Sequence, residues 1–268
     1  FRILRASLAT IKRNWKVFLG ITGVYAVLNL LLVQSFFGID VSGAKDSLES
    51  AVTGKWSGFV HGFSVISYLF GNSGTESSTS AYRLILAVIG SLAVIWALRQ
   101  VLAGVKIRIR DAFYNGMFPL VPFILVFLAI SVQLVPLAIA LYFFTVAGAH
   151  GGIEILLWSA VLGLLSGLTL YWLSSSLFAL YIVCLPNMRP MAALRAAVDL
   201  VRHRRWAVLR RLLFLPLAVL VVLAVIMLPI IFFITPLAEF VFFIFLMLVL
   251  VVGHSYMYTL YRELLNEE

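Results

Sequence analysis

Cysteine is nearly missing from this 268-residue chain, and charge is scarce. The single Cys184 excludes an internal disulfide and any metal site built from several thiolates. Charged residues make up only 12% of the chain, hydrophobic residues 63%, and mean hydropathy is +1.09. A soluble domain carries about a quarter charged residues, so this chain has too few polar side chains to cover a surface in water. Acid is scarcer than base, 11 residues against 20. Motifs that carry chemistry are missing as well. There is no His-Glu-x-x-His zinc helix, no Gly-x-Ser-x-Gly nucleophile turn and no Gly-x-x-x-x-Gly-Lys-[Ser/Thr] phosphate loop. His150-Gly151-Gly152-Ile153-Glu154 offers one His and one Glu, and reads as a glycine-hinged turn. These absences lead us to expect no catalysis, no cofactor and no metal.

What the chain does have is long apolar runs. Crossing a hydrocarbon core of about 30 Å takes roughly 17–25 residues at 1.5 Å each. Six stretches qualify: 17–37, 84–104, 118–146, 153–185, 212–234 and 237–260. Lipid offers no partner to unpaired backbone groups, so each must be helical. The fold class is therefore all-α, a single polytopic transmembrane domain over 1–268. The third and fourth stretches exceed a single crossing, and Pro119, Pro122 and Pro136 supply places for the third to bend. The first apolar run, about 21 residues, is too long for the core of a cleaved signal peptide. The chain opens on Phe1 rather than Met, which leaves room for residues upstream.

Charge gives an orientation. Of the 20 Lys and Arg, 17 fall in segments 1–16, 99–111 and 187–211 and in the C-terminal tail. Only Lys45, Lys55 and Arg83 fall on the other side. Alternation at every span predicts both termini in the cytoplasm of a bacterial-type inner membrane. Topology alone accounts for part of this charge; a lipid-binding role is the other reading.

A basic amphipathic segment occurs twice, each time running into a span. Leu4-Arg5-Ala6-Ser7-Leu8 through Ile11 to Trp15 is matched by Leu194-Arg195-Ala196-Ala197-Val198 through Val201 to Trp206. Leu4, Leu8 and Ile11, like Leu194, Val198 and Val201, recur at i, i+4 and i+7, a helical stripe. A third, looser copy runs from Lys106 to Gly116 and ends at Phe118. We expect 1–16 and 187–211 to be helices lying in the plane of the inner interface. Each would open a unit completed by a helical hairpin, giving parallel repeats. The recurring [Leu/Ile]-Arg-x-[Ala/Ser] segments ending in Trp or Phe, on a six-span chain, resemble a bacterial superfamily. It contains the membrane domains of glycerophosphodiester phosphodiesterases and related six-span proteins of unknown function. The resemblance extends over most of the chain. The soluble phosphodiesterase domain of that family, with its metal-binding Glu, Asp and His, has no counterpart here, so the resemblance implies architecture and transfers no functional residue.

Six arginines (Arg195, Arg202, Arg204, Arg205, Arg210 and Arg211) crowd 17 residues of the 187–211 region around one Asp199. Their planar forks suit phosphate oxygens, so they form a candidate site for anionic lipid headgroups. Within the spans, acidic side chains reach no bilayer midplane, which argues against a proton- or sodium-coupled carrier. Asn29, Gln133, Ser174, Ser175, Ser176 and His254 are the candidate polar path; interhelical hydrogen bonding and, for His254, an interfacial position are the plainer readings. Ser159, Gly163 and Gly167 set a small-residue face for close helix contact. The fifth span has no polar side chain and is expected to face lipid. Outside the spans, the loop 38–82 is expected to hold an interfacial helix over 56–70 and a flexible tether over 72–80. The cations are dispersed along membrane-flanking segments, so anionic lipid is the expected partner, or a membrane protein, and nucleic acid is not. The sequence thus leads us to expect a non-enzymatic accessory or scaffold protein. The alternative is a permease-like component moving a lipid or small solute.

Overall fold

The computed structural model describes residues 2–33, 77–148, 153–202, 204–233 and 235–266. His150 and the helix expected over 56–70 lie outside these residues. Among the described residues all regular structure is α-helical. In chain order the helices are α1 (Arg2–Arg13), α2 (Trp15–Val33), α3 (Ser77–Leu102), α4 (Ile109–Gly116) and α5 (Leu120–Gly148). They continue with α6 (Ile153–Ile182), α7 (Pro190–Val201), α8 (Arg205–Phe233) and α9 (Thr235–Asn266). Six of them, α2, α3, α5, α6, α8 and α9, are long and apolar enough to cross a membrane. They fall on the six stretches read from hydropathy.

The starts of two helices differ most from that reading. Helix α8 begins at Arg205 rather than at 212, so Arg205, Arg210 and Arg211 ride on the first turns of a spanning helix. Hydropathy falls where the arginines start, but the backbone hydrogen bonds do not; Val208 N–H already donates to the Arg204 carbonyl at 3.0 Å. Long arginine stems lie along apolar surface while the heads stay in water, so the charges do not break the helix. Helix α3 likewise starts at Ser77, inside the segment read as a tether.

Among the described helices, lengths run short, long, long three times. The short helices pack by one rule. Helix α4 packs on α3, α7 on α6, and α1 on α9, so the first short helix closes against the last long one. Small side chains allow these approaches. Ser7 on α1, Ala112 and Gly116 on α4, and Ala193 and Ala197 on α7 are all buried. A Cβ on Gly116 would stand 3.2 Å from the Leu92 carbonyl oxygen of α3. The Ser255 hydroxyl donates to the Ser7 carbonyl across the α1–α9 contact at 3.3 Å.

The buried face only partly follows the stripe marked by the large apolar residues. It centres on Ile3 and Ser7 in α1 and on Ala193, Ala197 and Val201 in α7, with Leu4, Ile11 and Leu194 half-buried beside it. Leu8 and Val198 stay exposed. The reason is distance: helices packed through small residues approach closely, which leaves the leucine flank pointing outward. Left-handed Gly104 (φ 79°) and Asn187 (φ 58°) turn the chain after α3 and α6 into the next short helix.

Helix α3 sits between α2, α4, α5 and α9. Its Val94, Ala97 and Leu98 meet Phe18 and Ile21 of α2, while Leu92 and Ile95 join Phe178 and Ile182 of α6 and Leu260 of α9 in the main core. The far half of the α5–α6 hairpin is held by Phe143 stacked on Trp158 at 4.6 Å. Ser159, Gly163 and Gly167 are exposed, with open space around both glycines. The close contact expected there is not made within the described residues, because α5, α7 and α8 take other faces of α6. Helix α8 leaves Leu217, Val221, Val222 and Val225 exposed, in keeping with its unbroken apolar sequence.

Candidate functional site

The long helices α2, α5 and α8 start, and α3, α6 and α9 finish, at the end of the bundle that carries the short helices. The charged side chains of the structure concentrate there. Where α1 closes on α9 and the first turns of α8 come alongside, three distant segments meet. Glu263 of α9 accepts a hydrogen bond from Arg2 of α1 at 2.8 Å on Oε1. The same oxygen lies 3.6 Å from Nη1 of Arg211 on α8. The Tyr256 hydroxyl donates to the Arg211 carbonyl at 2.7 Å and ties α8 to α9 at this level.

A groove of about 430 Å³ opens here, lined by Arg2, Ile3, Arg210, Arg211, Phe214, Tyr256 and Glu263. Two further depressions share its edges. One, about 610 Å³, runs along α1 past Arg2, Leu4, Arg5 and Leu8. The other, about 700 Å³, runs along α8 past Trp206, Arg210, Leu213, Phe214 and Leu217. Four arginines and one carboxylate thus stand between two apolar arms. Arg2 is almost wholly exposed, so its pair with Glu263 adds little stability. Its guanidinium is available to exchange one oxygen anion for another.

Of the six arginines named from the sequence, the structure brings only Arg210 and Arg211 into this groove. Arg195 and Arg202 are exposed on and just after α7, and Arg204 is exposed in the turn before α8. Arg205 reaches along α6 to lie over the Tyr171 ring, 4.3 Å from its centroid. No local pattern joins Arg2 and Arg5, in the first residues, or Glu263, near the C-terminal end, to Arg210 and Arg211. One signal was present: Glu263 lies between Leu260 and Leu264, both core residues, so the helical period puts its stem near the packed face.

The residues read as a polar path are spread over four helices. Asn29 of α2 is buried and donates to the Tyr25 carbonyl at 2.9 Å. Ser174 and Ser175 of α6 donate to the carbonyls of Tyr171 and Trp172, one turn back. Ser176 is buried beside them in sequence. His254 of α9 meets the Tyr181 hydroxyl at 2.9 Å through Nδ1. Gln133 of α5 keeps a buried Oε1 without a hydrogen-bond partner, as does Thr169 Oγ1 of α6, which the sequence reading passed over. None of these residues lines the three depressions described above.

Just beyond the end of α6, burial pushes the Cys184 thiol up to about 12, against the opposing pull of Arg99. Among the described residues no group of three or more His, Cys, Asp or Glu is placed to hold a metal ion. In comparisons with protein-family models, curated proteins and solved structures, none matches this chain.

Proposed function

We propose that this protein is a non-enzymatic accessory or scaffold of a bacterial-type inner membrane, docking anionic lipid through its basic end. The observation that carries the reading is the groove around Arg2, Arg210 and Arg211, which sets cations between apolar arms. A lipid phosphate would replace Glu263 as partner to the arginines, and acyl chains would lie along Leu8 or Leu217. One Lys or Arg near an anionic surface contributes about 1 kcal/mol. The short helices would lie at the interface, because the aromatic residue after each one, Trp15, Phe118 and Trp206, is 55%, 87% and 83% exposed. The three short–long–long units would be parallel repeats. The sequence resemblance to phosphodiesterase membrane domains is in line with that architecture.

Native mass spectrometry tests the reading. Replacing both Arg210 and Arg211 with Gln should lower retained phosphatidylglycerol or cardiolipin by about tenfold or more at low salt, with retained phosphatidylethanolamine unchanged. Equal anionic-lipid occupancy in the variant and the parent overturns it. A second reading, a permease-like component, is favoured by the unpartnered Gln133 and Thr169 atoms on neighbouring spans. Lipid or solute movement in proteoliposomes that is lost in Thr169→Val, with the fold intact, would decide for it.

A further inference from the structure

A separate cavity of about 670 Å³ lies at the same end of the bundle, between α3, the α4–α5 turn and the segment after α6. It goes beyond the groove and shares no lining residue with it. Its walls are mainly apolar, with Leu92, Ile95 and Trp96 of α3 facing Pro122 and Val183. One charged side chain stands among them beside Asn115 and Asn187, the half-buried guanidinium of Arg99. Its Nη1 donates to the Cys184 carbonyl at 3.2 Å, and no carboxylate among the described residues pairs with it. A guanidinium carries five N–H donors, so one carbonyl leaves most of its capacity unused. A cation in so apolar a place is costly without an anion. The two halves of this environment call for a ligand with the same two halves.

We propose that this cavity takes an anionic lipid from the surrounding membrane, its phosphate paired with Arg99 and an acyl chain laid along Trp96, Pro122 and Phe118. The phosphate offers two oxygens to the planar fork. Tyr114 and Phe118, both almost fully exposed, stand at the mouth and leave a lateral way in. Trp96 provides the probe. In a variant with Trp96 as the only tryptophan (Trp15, Trp56, Trp158, Trp172 and Trp206 replaced by Phe), bromine on a bound acyl chain quenches its emission. Brominated phosphatidylglycerol should reach half-quenching at about a fivefold lower mole fraction than brominated phosphatidylcholine. Arg99→Lys should keep this preference and Arg99→Gln should abolish it, while Lys12→Gln, a charge loss elsewhere, leaves it unchanged. Equal curves for the two lipids in the Trp96-only protein overturn the proposal, whatever the Arg99 variants do. Full recovery of emission on adding millimolar inorganic phosphate also overturns it, because the site would then select a soluble anion and not a lipid.

Discussion

Glu263 holds two guanidinium groups near one carboxylate oxygen, 2.8 Å from Arg2 and 3.6 Å from Arg211. This makes it a competitor for whatever anion the groove takes. A neutral amide of the same shape would free both arginines while keeping the packing of Leu260 and Leu264 on either side. Glu263→Gln should therefore raise retained anionic lipid, by about fivefold, and leave thermal stability within about 0.5 kcal/mol, since the pair is largely exposed on the Arg2 side. Lipid occupancy by native mass spectrometry, alongside a melting curve, checks both halves. A fall in occupancy would mean that Glu263 positions the arginines for the lipid instead of competing with it. The sequence holds Arg2 and Glu263 at opposite ends, 261 positions apart, and no local pattern joins them. Only the closure of α1 on α9 does. That is why Arg210 and Arg211 were legible as a basic cluster while the partners that make them a groove were not.

The helices themselves were far more legible, because a spanning helix announces itself by length and apolarity alone, whereas its packing face does not. Six apolar runs gave six long helices. The short helices showed their period in Leu4, Leu8 and Ile11, yet the chain buries Ile3 and Ser7 most fully. Hydropathy marks large apolar side chains as buried; in a membrane those can face lipid, and close helix contact goes to small residues. Ser7, Gly116 and Ala197 obey that second rule. Ala197 is fully buried in the contact of α7 with α6. Ala197→Leu should therefore cost about 1–3 kcal/mol through overpacking. Val198→Leu, one position on and exposed, should cost less than about 0.5 kcal/mol. Thermal or denaturant unfolding in detergent compares the two directly. Equal losses would show that α7 does not rest on α6 through its small-residue face.

Closure also constrains how the molecule sits in the bilayer. Helices α1, α4 and α7 all pack at one end, and an odd number of crossings between them would break the arrangement. Among the described residues each is separated from the next by two helices long and apolar enough to cross a membrane, so all three would belong on one side. That side carries Arg2, Arg5, Arg99, Arg195, Arg202, Arg210 and Arg211, which under the positive-inside rule would place it in the cytoplasm. We therefore expect both termini and α4 and α7 inside, with the start of α3 outside. The native Cys184 gives little background. Burial raises the pKa of its thiol, so the reactive thiolate is scarce at neutral pH, and the serine replacement removes it altogether. A single cysteine placed at Ser77, in a Cys184→Ser chain, should react with an impermeant maleimide added to intact cells. One at Ala192, exposed on α7, should react only after the membrane is opened. Labelling at 192 without labelling at 77 would turn the molecule over. The arginine groove would then face the opposite leaflet, and with it the lipids available to fill it.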